Sequence, residues 1–173
     1  FQKNKYDKSV KIIKGGKERS DSSLTALKDL RKFKPTNILI HDAARPNFSI
    51  ILLKKLINKL KKNKALVPYV YSNDSIKYSS QNRLFNLNRN KAFLTQTPQG
   101  FKYNDLYKLA INQKNKITDE ATLFIDNDFK VNFVKGEKKN NKITVKNDIK
   151  IDKKNVGISF NNHKLIINKK ILL

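Results

Sequence analysis

Short apolar runs alternate with amphipathic stretches along the first half of the chain. Short, mainly apolar runs at 10–13, 37–41 and 65–71 predict three strands. Between them, apolar residues recur every three or four positions over 24–33 and 50–60, a spacing typical of helices that bury one face. This alternation predicts an α/β fold with a mainly parallel sheet, and such sheets bind their ligands at the carboxyl ends of the strands.

Residues 72–96 interrupt the alternation. Three short β-like runs, at 76–78, 84–87 and 92–94, follow one another with only polar turns between them. This pattern predicts an antiparallel arm that projects from the sheet. Because such an arm buries little surface of its own, we expect it to pack against a second copy of the chain, which gives a homodimer through residues 72–96.

The remaining pattern predicts a division of the chain. Two further helices and a strand are predicted between residues 104 and 134, and they complete a first domain over 1–150. A polar linker at 151–155 follows. A new strand-like segment then occupies 156–173.

The composition excludes several functional classes. The 173 residues include no Cys, which excludes disulfide scaffolds, cysteine nucleophiles and thiolate metal sites. The two histidines, His41 and His163, are too few for a multi-histidine metal site. No apolar run approaches the roughly 20 residues that a membrane span needs, and the amino end lacks a signal-peptide pattern. We therefore expect a cytoplasmic protein with no membrane partner and no metal site of its own.

The net charge invites a different interpretation. The chain has 38 Lys and Arg against 14 Asp and Glu, a formal net charge of +24, which is typical of nucleic-acid-binding proteins. However, 33 of the 38 are Lys spread along the whole chain, whereas Arg is the residue best suited to bases and phosphates. An AT-rich genome produces such a Lys excess on any solvated surface. We expect no nucleic-acid partner; a non-catalytic basic binding protein is the alternative, and the salt dependence of RNA binding would separate the two.

One polar segment joins the first predicted strand to the first predicted helix. GGKERSDSS at 15–23 combines a Gly–Gly turn with a helix start, so backbone N–H groups can approach a ligand closely. Arg19 adds a positive charge and Ser22 adds a small hydrogen-bonding group. The segment suits a nucleobase edge or a phosphate, and an ordinary strand-to-helix turn is the alternative.

A second polar segment, HDAARP at 41–46, follows the strand predicted at 37–41. Asp42 suits sugar hydroxyls or a divalent cation, and Arg45 suits a phosphate bound through two parallel hydrogen bonds. The alternative is an Asp–Arg pair that only fixes the loop. We expect His41 to pack at the strand end rather than to act as a catalyst.

Two later segments carry less specific signals. Thr97 precedes Pro98, which favours extended backbone and presents the threonine hydroxyl at the end of the arm. Asp119 and Glu120 begin a predicted helix, where carboxylates are favoured by the helix dipole. For Asp119 and Glu120, helix capping is the alternative to a functional role.

Taken in order, these segments resemble the 2-C-methyl-D-erythritol 4-phosphate cytidylyltransferases, nucleotidyltransferases of the non-mevalonate isoprenoid pathway. The matching motifs are GGxERxDS at 15–22, HDAARP at 41–46, DSIK at 74–77, TPQGF at 97–101, TDEA at 118–121 and NxKIT at 140–144. Each motif is weak alone, but six in the order and spacing of the family are a strong signal. Pentitol-phosphate cytidylyltransferases share the scaffold and are the alternative, although HDAARP and TDEA are closer to the methylerythritol enzymes.

The resemblance implies a Rossmann-like nucleotidyltransferase fold, a three-layer sandwich, and a role for individual residues. Nucleotide-binding residues would be Gly16, Lys17, Arg19, Ser22 and Ala43. Substrate-binding residues would be Asp42, Arg45, Ser75 and Thr97. Arg89 and Lys142 would position the attacking phosphate, and Ser75 and Arg89 would reach across the homodimer into the partner's site.

The implied reaction transfers CMP from CTP to 2-C-methyl-D-erythritol 4-phosphate. A phosphate oxygen of the substrate attacks the α-phosphorus of CTP in line, and pyrophosphate leaves. Mg²⁺ would be bound with CTP, and no covalent intermediate with the protein is needed. Catalysis by positioning and by neutralisation of negative charge suits a chain without Cys.

Three departures from the family bear on this expectation. Lys17 stands where the family commonly has an acidic residue, and Ser75 stands where it commonly has Thr. The Gly-rich loop that holds the triphosphate in the family is absent from the 173 residues, and the chain starts at Phe1 and contains no Met. We therefore expect a fragment that shows no turnover by itself.

The tail, NVGISFNNHKLIINKKILL, resembles the opening strands of 2-C-methyl-D-erythritol 2,4-cyclodiphosphate synthase, which some bacteria fuse behind the cytidylyltransferase. That family opens with a GFDxH pattern whose Asp and His bind a divalent metal. Asn161 and His163 stand at these positions here. The Asn removes a ligand, so we expect no metal site in 156–173; a plain terminal hairpin is the alternative.

Overall fold

The computed structural model describes residues 11–113, 117–145 and 148, together with the strands at 156–161 and 164–169. By its internal contacts the chain divides into two compact units, Phe1–Asn140 and Asn141–Leu173. The predicted domain end at 150 and the predicted linker at 151–155 lie outside the described residues.

The described part of the first unit contains four α-helices and seven strands. The helices are α1 (Arg19–Leu30), α2 (Ile50–Leu60), α3 (Tyr103–Asn112) and α4 (Glu120–Ile125). The strands are β1 (Asn37–Ile40), β2 (Ala65–Tyr71), β3 (Ile76–Ser80), β4 (Arg83–Leu87), β5 (Phe93–Thr95), β6 (Gln99–Lys102) and β7 (Asn132–Lys135). Short 3-10 turns follow α1 (Arg31–Phe33) and precede β5 (Arg89–Lys91).

One predicted strand is not formed. Residues 11–13 of the run predicted at 10–13 have irregular backbone, and Val10 lies outside the described residues. A strand is stable only where a neighbour satisfies its backbone N–H and C=O groups. None of the strands described for this chain pairs with residues 11–13.

Strand β2 is central in a five-stranded sheet. It pairs with β6 at its start and with β5 at its end, both antiparallel, and with β7 in parallel register. Strand β1 pairs with β6, again antiparallel. The α/β class is confirmed, but the prediction of a mainly parallel sheet is wrong for these pairings. The chain returns from β2 to β5 without a crossover helix, and such connections produce antiparallel neighbours.

Helices cover both faces of the sheet, which confirms the three-layer arrangement. Alternate residues of β2 point to opposite faces: Ala65 and Val67 pack in a core with α1, α3 and α4, whereas Leu66 packs with α2. Helix α2 begins at the cap residue Ser49, whose hydroxyl accepts a hydrogen bond from the Leu52 N–H. It approaches the sheet closely at Gly100, where an added Cβ would lie 2.8 Å from Leu60.

The predicted antiparallel arm is confirmed for β3 and β4, which form a separate two-stranded sheet. Its turn residues Gln81 and Asn82 both have positive φ, which is typical of a tight hairpin turn. The third predicted run does not belong to the arm: β5 joins the main sheet beside β2. The arm therefore projects as a hairpin of two strands.

The described strands of the second unit are β8 (Val156–Asn161) and β9 (Lys164–Lys169), which pair as an antiparallel hairpin. Asn161 ends β8, and His163 lies outside the described residues. Among the helices that the structure describes, none has the length and apolar character needed to cross a membrane.

We predict that Leu56→Ala lowers the free energy of unfolding by about 2–5 kcal/mol. Leu56 is 0% exposed in the core beneath α2, and its truncation leaves a cavity that a packed interior fills poorly. Urea unfolding followed by circular dichroism measures the effect. Ile51→Ala, on the same helix at 77% exposure, is the matched control and should change stability by less than about 0.5 kcal/mol. Equal effects of the two variants would contradict the described packing of α2.

Candidate functional site

The carboxylate of Asp42 lies between two arginines at the end of β1. Its Oδ1 is 3.5 Å from Arg19 Nε, and its Oδ2 is 3.7 Å from Arg45 Nε. The loop after β1 holds it there, since the Arg45 N–H donates to the Asp42 carbonyl at 2.9 Å. The predicted nucleotide residue Arg19 and the predicted substrate residues Asp42 and Arg45 are thus brought together.

Arg19 is held by a second carboxylate. Its Nη1 and Nη2 donate to the two oxygens of Glu120 at 2.9 and 2.8 Å, and Glu120 is 1% exposed. Burial by itself would lower the pKa of Arg19, but the hydrogen bond and charge of Glu120, with the charge of Asp42, raise that pKa above its usual value. Arg19 therefore stays cationic and is fixed in orientation.

Arg45 is turned towards backbone carbonyls. Its Nη1 donates to the Asn140 carbonyl at 2.9 Å and its Nη2 to the Thr95 carbonyl at 3.4 Å. Burial lowers the pKa of Arg45, and the charge of Asp42 opposes that shift. The Arg45 Nε is buried without a hydrogen-bond partner. The Asp42–Arg45 pair fixes the loop, which is one of the two interpretations from the sequence. The other, phosphate binding, stays open because Arg45 still has N–H groups to donate.

Buried polar side chains support this loop from the β5–β6 side. Asn140, which is fully buried, donates from Nδ2 to the Thr97 carbonyl at 2.7 Å. Gln96 donates to the Glu137 carbonyl at 2.9 Å and accepts from the Glu137 N–H at 3.1 Å. Thr97 is 4% exposed, and its hydroxyl accepts from the Asp42 N–H at 3.0 Å. These bonds connect the end of β1 to the segments around β5 and β7.

The predicted nucleotide segment forms a tight turn before α1. The Gly16 N–H donates to Ser22 Oγ at 3.0 Å, and that hydroxyl donates to the Glu18 carbonyl at 3.2 Å. A side chain at Gly16 would overlap the Cβ of Asp21, so glycine is required by this close approach. Lys17 and Ala43 are both exposed.

Comparison with known proteins identifies the family of this chain. The sequence profile described as "IspD: 2-C-methyl-D-erythritol 4-phosphate cytidylyltransferase" matches residues 1–156. The chain belongs to the 2-C-methyl-D-erythritol 4-phosphate cytidylyltransferase family.

Relatives and solved structures in this family agree with that assignment. The bifunctional enzyme IspD/IspF of Pelagibacter ubique is 43% identical over all of this chain and 47% of its own length. The cytidylyltransferase of Clostridioides difficile is 38% identical over 86% of this chain and 64% of its own. The crystal structure of 4-diphosphocytidyl-2C-methyl-D-erythritol synthase from Anaerococcus prevotii superposes with a TM-score of 0.77 at 34% identity, covering 83% of this chain and 68% of that one.

The shared fold is therefore that of the cytidylyltransferases, which confirms the predicted nucleotidyltransferase architecture. The chain spans about half the length of the bifunctional relative, and about two thirds of single-function relatives.

Three other residues that the family resemblance singled out take no part in the contacts described above. Ser75 and Arg89 are exposed at the base of the arm, where Arg89 Nη1 donates to the Asn73 carbonyl at 2.7 Å. Lys142 belongs to the second unit. The roles of these three residues stay predictions.

Several residues of the site escaped the sequence analysis. Asn140 and Gln96 are buried polar residues, and Glu137 caps α2 by accepting from the N–H and hydroxyl of Ser49. The scarcity of glutamate is a signal that could have identified Glu137. The chain has only three, Glu18, Glu120 and Glu137, and each lies at the start of a helix.

The described residues do not fit a metal ion. Within the part of the chain that the structure describes, no three His, Asp or Glu side chains converge. The two oxygens of Asp42 face Arg19 and Arg45 instead.

We predict that Glu120→Gln lowers the free energy of unfolding by about 2–3 kcal/mol. The substitution leaves the partly buried guanidinium of Arg19 without its buried counter-charge. Chemical denaturation measures this loss. Asp126→Asn removes the same charge at the exposed carboxyl end of the same helix and is expected to change stability by less than about 0.5 kcal/mol. If the two variants were equally stable, the Glu120–Arg19 pair would not anchor α4 to α1.

Proposed function

We propose that the full-length translation product containing this chain transfers CMP from CTP to 2-C-methyl-D-erythritol 4-phosphate and releases pyrophosphate. The observation that carries the proposal is the Arg19–Asp42–Arg45 cluster at the end of β1, in a chain of this family. The names of the relatives support the choice of substrates.

The cluster is suited to anchoring a polyol phosphate. Arg45 has five N–H donors, and the bonds to the Asn140 and Thr95 carbonyls use one from each terminal nitrogen. The others are left to donate to a phosphate beside the Asp42 carboxylate, which accepts hydrogen bonds from hydroxyl groups. The two carbonyl bonds hold the guanidinium in one orientation, so little entropy is lost when a phosphate binds.

The charge of the cluster limits what it can do alone. Arg19 and Arg45 are balanced by Asp42 and Glu120, so the four side chains have no net formal charge. Neutralising a triphosphate needs further cations, and we assign this to Lys17 and Lys142 and to Mg²⁺ carried by CTP. No step depends on an ion held by the described residues. The net charge of +24 attracts both anionic substrates over a longer range.

The reaction needs no nucleophile from the protein. A phosphate oxygen of the polyol phosphate forms a bond to the α-phosphorus of CTP while the bond to the pyrophosphate oxygen breaks. In this proposal Gly16, Ser22 and Ala43 face the nucleotide, and Thr97 lies near the substrate phosphate. We place the protein in the cytoplasm, where CTP is made and used.

We also propose a homodimer formed through the arm. Strands β3 and β4 expose large apolar side chains, among them Leu84, Phe85, Leu87 and Tyr78, and a two-stranded hairpin is marginal unless it packs on something else. A second copy that covers the arm would also bring Ser75 and Arg89 towards the partner's site.

Pyrophosphate release by the full-length protein, with CTP and the polyol phosphate, tests the activity. We expect Arg45→Lys to lower kcat/KM by roughly 10²-fold, because a lysine cannot reproduce the planar pairing with a phosphate. Arg31→Lys makes the same exchange at an exposed position outside the cluster and should leave kcat/KM unchanged. A clear preference for a pentitol phosphate would favour the alternative substrate class. Failure of both substrates would contradict the proposed function.

For the dimer, we predict that Leu84→Asp shifts the protein from dimer to monomer in light scattering. Leu84 is 76% exposed on the arm, so the charge costs nothing in a monomer but is buried in the proposed interface. Ile51→Asp, equally exposed on α2, is the matched control and should stay dimeric. A wild-type protein that is monomeric at high concentration would exclude the arm interface.

A further inference from the structure

His41 links two parts of the site through both of its ring nitrogens. Its Nε2 lies 2.9 Å from the Arg45 carbonyl, and its Nδ1 lies 3.1 Å from Thr97 Oγ1. Thr97 Oγ1 in turn accepts from the Asp42 N–H at 3.0 Å. These three hydrogen bonds run from the backbone of Arg45, through the imidazole and the threonine hydroxyl, to the backbone of Asp42.

The chemistry of the partners fixes the hydrogens along this path. A carbonyl oxygen only accepts, so Nε2 of His41 must carry a hydrogen. In a neutral ring Nδ1 is then an acceptor, and the Thr97 hydroxyl donates to it. Burial lowers the pKa of His41, while the nearby charges of Asp42 and Arg45 act in opposite directions. The neutral ring is therefore the form that this environment favours at neutral pH.

His41 also packs against an aromatic ring. The rings of His41 and Phe48 pack edge to face, with their centroids 4.4 Å apart. From the sequence we expect His41 to pack at the end of the strand, but we expect no polar function for it. An apolar residue of similar size would preserve the contact with Phe48, yet it would leave the buried Thr97 hydroxyl and the Arg45 carbonyl without their partner.

We propose that His41 is a positioning residue of the substrate site: as the neutral tautomer with its hydrogen on Nε2, it sets the Thr97 hydroxyl and the Arg45 backbone so that Asp42 and Arg45 face the same ligand. The role in substrate binding rests on the proposed function, whereas the hydrogen-bond path does not. His41 touches no reacting atom in this scheme and acts only through its neighbours.

The tautomer can be measured directly by nitrogen-15 NMR of the imidazole rings. The chain has only two histidines, so the signals that disappear in His41→Asn belong to His41. At pH 7 we expect Nδ1 to show the shift of an unprotonated nitrogen and Nε2 that of a protonated one. A ring protonated on Nδ1, alone or together with Nε2, would overturn the proposal. This measurement needs no substrate.

Two variants each keep one half of the path. His41→Asn places an amide oxygen near the position of Nδ1, where it accepts from Thr97. His41→Gln places an amide N–H near the position of Nε2, where it donates to the Arg45 carbonyl. We expect hydrogen exchange of the Asp42 amide to stay slow in His41→Asn and to become roughly tenfold faster in His41→Gln. Equal exchange in both would overturn the path through Thr97.

The contribution to the site is read from the affinity of the full-length protein for 2-C-methyl-D-erythritol 4-phosphate. We expect His41→Phe, which keeps only the packing, to weaken binding roughly tenfold, and His41→Asn to recover part of that loss. Unchanged affinity in a folded His41→Phe protein would overturn the positioning role. If the wild type binds no polyol phosphate, the proposed function fails, while the tautomer and exchange measurements still decide the hydrogen-bond path.

Discussion

The buried carboxylate of Glu120 is the constraint on which the rest of the site depends. Taking a carboxylate out of water costs several kcal/mol unless a cation and further hydrogen bonds compensate, and Arg19 supplies both. That contact ties the first residue of α4 to the first residue of α1. Because the same guanidinium also reaches Asp42, the end of β1 is fixed relative to both helices. The four side chains thus contact one another in a series of alternating charge, in the order Glu120, Arg19, Asp42 and Arg45.

Anions are scarce in this chain, and their placement shows what they are for. With 14 carboxylates among 173 residues, few are left for exposed positions that have no structural role. The three glutamates mark the starts of three helices on two faces of the sheet, where the partial positive charge of a helix end favours them. The lysines, by contrast, are numerous and mostly solvated. Information about this fold is therefore concentrated in its least frequent side chains.

The sequence pattern predicted individual helices and strands better than it predicted which strands and side chains pair with one another. Helix α2, strand β2 and the hairpin of the arm were recognisable, because periodicity and turn composition are local properties. Pairing is not local. Glu120 and Arg19 are 101 residues apart, and helix-start composition suggested only a dipole role for Glu120. In the same way, the NxKIT motif contains Asn140, but nothing in the sequence indicated that its side chain is buried and donates to the Thr97 carbonyl. Strand β5 was assigned to the arm and β6 was not predicted as a strand, because a short apolar run does not show which strand it pairs with.

The parallel pairing of β2 with β7 has a consequence for synthesis. Strand β2 is complete at Tyr71, but the strand that covers its second edge begins only at Asn132. During translation the antiparallel neighbours β5 and β6 are made well before β7. The nascent chain therefore carries an apolar β2 with an open edge, able to pair with another nascent chain, for the time needed to add those later residues. The second edge of β2 is therefore covered only after β7 has been synthesised.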